Sequence, residues 1–193
     1  RWYKTTAAHN AVTFDGGQGQ DLGKDGFGSL TANGRLTHFE VGKGWALAAG
    51  DATPAFAGSL KKAQRTVVLL DGPLVVVMDT VVSAVPRHFE LNFHTPVAPT
   101  LQQGEMRALE GACLNAVSTS DLTATSAPVA APAPQGIAWT PNWLTRYTSV
   151  QAQVAFHAMT EIDPDCGERP AIRPRYADGK WTLDTGRHKV QFT

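Results

Sequence analysis

The chain has 193 residues whose 17 basic side chains balance 17 acidic ones, and no block of like charge is present to draw phosphate or anionic lipid. With 42% hydrophobic and 18% charged residues it can bury an ordinary core, which excludes a disordered or fibrous polypeptide. Its longest apolar stretch, Thr66 to Met78, is interrupted by Asp71 and Gly72 and falls short of the ~20 residues a membrane helix requires, so neither a nucleic-acid nor a membrane partner is expected.

One domain over residues 1–193 fits this length. Arg1 to Thr6 leads into polar, Gly-rich sequence rather than the apolar region of a secretory signal. Gly23 to Gly28 reads as a turn, and Asn33-Gly34 predicts a hairpin joining Ser29–Ala32 to Arg35–Val41. Asp51 precedes Thr53-Pro54, where an Asp side chain accepts backbone donors two residues on and Pro enforces extended geometry. Ala55 to Gln64 is the best short helical candidate. Thr66–Leu70, Asp71-Gly72 and Pro73–Val82 read as a hairpin whose continuous apolar runs predict burial on both faces.

Further along, His88 to His94 alternates, with Phe89, Leu91 and Phe93 on one face, as a half-buried strand does. Thr123 to Gln135, rich in Ala and Pro, reads as a long loop. Tyr147 to Met159 alternates through Val150, Ala152, Val154, Phe156 and Ala158, with Tyr147 and Met159 on the opposite parity. Asp178-Gly179 predicts a hairpin between Arg175–Ala177 and Lys180–Leu183. The class is therefore all-β, a multi-stranded antiparallel β-sandwich. Cys113 and Cys166 fit either a disulfide in an oxidising compartment or two reduced, buried thiols. There is no Gly-x-Ser-x-Gly elbow, phosphate loop, His-Glu-x-x-His or Cys-x-x-Cys.

The opening residues read Trp2-Tyr3-Lys4-Thr5-Thr6-Ala7-Ala8-His9-Asn10-Ala11-Val12, then Phe14-Asp15-Gly16-Gly17-Gln18-Gly19-Gln20. A Thr, a short spacer, His-Asn, a strand, Asp-Gly and a Gln in this order resemble the β-sandwich of heparinase II/III-like polysaccharide lyases. Gly50-Asp51-Ala52-Thr53, Ala55-Phe56, Arg65, Val67–Asp71, Val75–Asp79 and Phe89–Thr95 follow in the order of that family's strands. The resemblance is carried by residues 1–95, and more loosely by the closing Gly179-Lys180-Trp181-Thr182-Leu183.

The resemblance implies a C-terminal β-sandwich following an N-terminal helical toroid, in bacterial enzymes that are periplasmic or secreted. They act on acidic polysaccharides, heparin and heparan sulfate or alginate, by β-elimination. A base takes the C5 proton of a uronate, and the 4-linked oxygen departs once the carboxylate is neutralised. In the family most of these groups lie on the helical domain, so no catalytic residue is assigned here and the chain alone is expected to be inactive. The family's sandwich also holds zinc, and His9 is the one ligand that carries over; a single His is not a site. Asn10 and Gln20 are expected near the substrate cleft, against the ordinary alternative that they satisfy local backbone groups. Trp143, which with Trp139 flanks Thr140-Pro141-Asn142, is a candidate sugar platform, although most tryptophans are core. Arg146, Arg173, Arg175 and Arg187 suit a uronate carboxylate but are by default surface charges. His94, at a strand end, is by default a satisfied edge residue and becomes a second ligand if the fold sets it beside His9. A non-catalytic carbohydrate-binding module and a purely structural domain are the alternatives.

Overall fold

A computed structural model of the chain describes residues 2–24, 26, 32–70, 74–102, 105–107, 112–129, 142–164, 166, 173–184 and 189–192. Its organising layer is an eight-stranded antiparallel sheet. The Val-rich runs form its two central strands, β4 (Leu60–Leu70) and β5 (Val75–Arg87), paired from Leu60 opposite Ser83 to Leu69 opposite Val75. The hairpin is as predicted, while its turn at Asp71-Gly72 lies outside the described residues. On one side β4 is followed by β3 (Trp45–Asp51) and then β2 (Arg35–Gly42); on the other, β5 is followed by β12 (Gln153–Asp163), β9 (Cys113–Ser118), β8 (Glu105–Arg107) and β7 (Thr100–Gln102).

A four-stranded sheet, in the order β1 (Val12–Phe14), β6 (Phe89–Thr95), β11 (Trp143–Ser149) and β10 (Leu122–Pro128), packs on one face of the large sheet. Between them lies a core containing Phe14, Leu60, Val81, Leu91, Tyr147 and Phe156, with the Phe89 and Phe156 rings stacked at 5.3 Å across the layers. A three-stranded sheet of β13 (Arg173–Ala177), β14 (Lys180–Asp184) and β15 (Lys189–Phe192) contributes Trp181 to a second core, on Val68, Leu70, Val76, Met78 and Met159. Its first turn is the predicted Asp178-Gly179, with φ of 52° and 75°, the backbone that an Asp-Gly hairpin turn requires. No α-helix occurs among the described residues, so the all-β sandwich stands.

Several local expectations are corrected. Ala55–Gln64 is not helical: Thr53–Phe56 makes a 3₁₀ turn, left-handed Ala57 (φ 46°) and Gly58 (φ 83°) end it, and Leu60 already belongs to β4. Of the Thr123–Gln135 stretch read as a loop, Thr123–Pro128 belong to β10, an edge strand where Pro is tolerated, and residues 130–135 lie outside the described residues. Tyr147–Met159 is two strands in different sheets, β11 and β12. The parity fault marked the crossing between layers, and both Tyr147 and Met159 are buried. Arg35–Gly42 pairs with β3; of Ser29–Ala32, its expected partner, Ala32 is not in a strand and residues 29–31 lie outside the described residues. Finally, β6 is buried on both faces, Glu90 and Asn92 included.

The double burial expected of β4 and β5 is only partly met. On the face that carries Ala63 and Val81 into the first core, cross-strand rows continue outward as Val77, Val67, Ala48 and Phe39, and as Val75, Leu69, Ala46 and Val41. The four-stranded sheet stops short of them. Val67 is 36% exposed, Leu69 47%, Phe39 62% and Val41 65%. The large sheet thus overhangs its partner with an open apolar shelf.

Cys113, at the start of β9, is joined to Cys166, just beyond β12, closing a separation of 53 residues. A bridge of this span stabilises chiefly by restricting the unfolded chain. Replacing both cysteines by Ser is expected to cost about 2–4 kcal/mol in urea unfolding, with the native fold retained in water.

Candidate functional site

A buried carboxylate organises the outer face of the four-stranded sheet. Glu90 is 3% exposed, and a charge so placed persists only when hydrogen bonds replace water. Thr13 donates its hydroxyl to Oε2 at 2.5 Å, and the backbone N–H groups of Gly16 and Gly17 donate at 2.8 and 3.0 Å. Asp15, Gly16 and Gly17 have φ of 48°, 85° and 95°, which turns successive N–H groups toward one anion. Asn92 donates from Nδ2 to Thr13 Oγ1 (2.8 Å) and to the Ala11 carbonyl (3.0 Å), and its Oδ1 accepts from Arg146 Nε (3.0 Å). Arg146 Nε also lies 3.6 Å from Glu90.

This network pins the N-terminal segment over the sheet, and the segment delivers the residues singled out in the sequence. His9 follows the short 3₁₀ turn Thr6–Ala8 and is exposed. Asn10 Oδ1 accepts the His94 backbone N–H at 2.8 Å, and its carbonyl accepts Arg65 Nη1 at 2.6 Å. Asn10 therefore staples β6 to the large sheet, the backbone-satisfying role weighed against substrate contact. His94 donates Nε2–H to the Ala7 carbonyl (2.9 Å), which leaves Nδ1 as a buried lone pair without a partner. Burial holds the His94 imidazole below the ordinary value of 6.5; the Ala7 bond opposes this, and His9 and Arg146 nearby add to it. His9 and His94 are thus brought into electrostatic range of each other.

Gln20 lines a second feature, a cavity of about 290 Å³ between β1 and the large sheet. Two ion pairs border it. Arg65 grips Asp79 through Nε (2.8 Å) and Nη2 (2.9 Å), and Arg35 meets Asp51 at 3.3 Å. Asp51 also accepts the Thr53 N–H at 2.9 Å, the turn expected of it, and hydrogen bonding from the Thr53 side chain first, then from this N–H, holds its carboxyl below the ordinary value. The Gln20 backbone N–H donates to Thr6 Oγ1 at 2.7 Å. Trp143 lies elsewhere, on the β11 parity of Tyr147, half-buried between Thr95 and Pro128 in register, and lines neither this cavity nor the groove beside Arg146. Trp139, Arg187 and the side chain of Arg173 lie outside the described residues.

The zinc implied by the resemblance meets an incomplete donor set. Among the described residues no three His, Cys, Asp or Glu side chains converge on a point. The described residues do not make a zinc site by themselves. Glu90 and Asn92 escaped the sequence reading because an alternating strand predicts that its polar side faces water. The available signal was a carboxylate and an amide interleaved with Phe89, Leu91 and Phe93, some 70 residues after an Asp-Gly-Gly turn suited to binding an anion.

The family model described as heparinase II/III-like, C-terminal, matches residues 1–170. Among solved structures the chain is similar to a heparinase III gene product (TM-score 0.74, 12% identity) and to a second heparinase III (TM-score 0.71, 15% identity). It is also similar to the heparan sulfate lyase HepC from Pedobacter heparinus (TM-score 0.62, 15% identity). Each alignment covers 99% of this chain, but only 30%, 30% and 31% of the respective neighbour, so the chain spans under a third of their length. Comparison with curated protein sequences finds no match.

His94 provides a test of the geometry. An imidazole whose folded pKa is depressed contributes stability that is complete above its unfolded value and is lost as pH falls toward the folded one. His157 shifts in the same direction, through burial and the nearby Lys62. The unfolding free energy is therefore expected to decline as pH drops below 6.5. In titrations of stability against pH, His94→Gln removes part of that slope, and adding His157→Gln removes more; an unchanged slope in both contradicts the burial of these rings.

Proposed function

The chain belongs to the heparinase II/III-like C-terminal family, and from that premise we propose that it is the β-sandwich portion of a bacterial polysaccharide lyase. The proposed reaction is β-elimination on uronate-containing glycans, either heparan sulfate-type chains or alginate. The family match over residues 1–170 is the observation that carries this reading.

The distribution of reactive groups fits a portion rather than a whole enzyme. β-Elimination needs a base at the uronate C5, an acid at the departing oxygen and a partner for the carboxylate. His157 and Tyr176 are of the right types, but they stack at 4.3 Å, with the Tyr176 hydroxyl 2.9 Å from Nε2, and tie β13 to β12. Tyr147 is buried in the core. The family resemblance assigns the proton-transfer groups to the helical domain of the longer protein. The apolar shelf of Phe39, Val41, Val67 and Leu69 is the surface assigned to packing against the rest of that protein. His9, exposed at the same end as Asn10, is offered as one imidazole of a zinc site whose other ligands lie beyond the described residues. The Cys113–Cys166 bridge favours an oxidising location, periplasmic or secreted.

The test compares the 193-residue chain with the longer polypeptide that contains a helical domain, each incubated with heparan sulfate, heparin and alginate while the ultraviolet absorbance of unsaturated product is followed. The longer protein is expected to cleave at least one of them and the chain none. Turnover by the chain alone overturns the division of labour, and a longer protein that leaves all three intact overturns the lyase assignment.

A further inference from the structure

We propose that a groove on the outer face of the four-stranded sheet is a subsite for one acidic sugar residue, with Arg146 receiving its carboxylate and Trp2 its ring. The inference rests on the lyase reading for the class of glycan, and on the following geometry for the site.

The groove has a volume of about 280 Å³ and is lined by Trp2, Ala7, Thr125, Ala127, Leu144 and Arg146, among others. Register explains its shape. Ala127 lies opposite Leu144, Thr125 opposite Arg146 and Arg146 opposite Asn92, so one sheet face presents small and apolar positions beside a single cation. Ligand pockets for drug-sized molecules start at about 300 Å³, so this one suits a single pyranose. Trp2 forms one wall. Its carbonyl accepts from both the Thr5 N–H (2.8 Å) and hydroxyl (2.7 Å), and its indole meets the His94 ring edge-on at 5.8 Å. The wall is therefore held before any ligand arrives, and an aromatic face packs on the C–H side of a sugar.

Arg146 is presented in an unusual way. Its Nε is committed to Asn92, and Glu90, the nearest carboxylate, already receives Thr13, Gly16 and Gly17. No acceptor among the described residues takes hydrogen bonds from its two terminal NH₂ groups, and the side chain is 26% exposed. Anchored at Nε, the guanidinium can turn its terminal edge toward the groove and offer two parallel N–H donors. That fork matches a carboxylate, and desolvation beside Leu144 and Trp2 strengthens the pairing. A uronate with its C–H face on Trp2 and its carboxylate on Arg146 uses the apolar wall and the terminal donors of the groove together.

The experiment follows the Arg146 Nε–H and Trp2 indole N–H signals of the chain by NMR during titration with three oligosaccharides of equal length. These are an unsulfated glucuronate-containing one, its carboxyl-reduced derivative, and a sulfated, carboxyl-reduced one. Saturable shifts are expected with the first alone. Ala127→Leu fills the groove from an exposed position on β10 without touching Glu90 or Asn92, and Trp2→Ala removes the wall. Each is expected to weaken binding about tenfold, equivalent to about 1.4 kcal/mol, with the melting temperature of Ala127→Leu unchanged. Equal binding of the carboxyl-reduced sugar, preference for the sulfated one, undiminished binding by Ala127→Leu, or no binding in any arm each overturns the subsite. If the longer protein still cleaves uronate glycans in that event, the lyase reading survives and only the subsite falls.

Discussion

The structure depends on one constraint: β4, β5 and β12 carry apolar side chains on both faces and must be covered twice. Burying a Val or Leu side chain is worth about 1.5–3 kcal/mol, so three central strands left bare on either face would not hold together in water. The four-stranded sheet covers one face through Phe14, Phe89, Leu91 and Tyr147, and Trp181 covers part of the other. Where the smaller sheet runs out, the same face emerges as Val67, Leu69, Phe39 and Val41. The feature that builds the domain therefore also leaves an open apolar surface at one end of the same sheet.

The covering sheet is itself secured by an unlikely group. Glu90 sits at the junction of β1, β6 and β11, and its charge is acceptable only because the Asp15–Gly17 turn and Thr13 supply donors. Meeting that requirement draws the N-terminal segment across the sheet, which in turn places Asn10 on β6, His9 within reach of His94, and Trp2 beside Arg146. A hydrogen-bonding requirement inside the sheet thus shapes its outer face.

Locally encoded features were legible in the sequence. Asp178-Gly179 and Asp51 with Thr53 behave as their turn chemistry dictates, because the partners lie within a few residues. The strand character of Val67–Leu70 and Val75–Val82 needed only periodicity and composition. What failed to show was long-range. Glu90 is satisfied by residues more than 70 positions earlier, and nothing in β6 itself announces them. Ala55–Gln64 has helical composition, but left-handed Ala57 and pairing with β5 decide otherwise. The parity fault between Tyr147 and Met159 was visible, yet only the tertiary structure shows it to be a passage between sheets. Asn10 was singled out for its place before a strand, and the bonds it makes to His94 N–H and Arg65 come from far along the chain.

Under the proposed function, this sandwich packs against the rest of a longer lyase, with the apolar shelf as the seam. Backbone amide hydrogen exchange along Arg35–Gly42 and Val67–Leu69, measured in the chain alone and in the longer protein, tests it most directly. The account predicts that exchange of the edge strand β2 is fast in the chain and strongly slowed in the longer protein. Equal exchange in both would contradict it, because the shelf would then be open to water in the finished molecule as well.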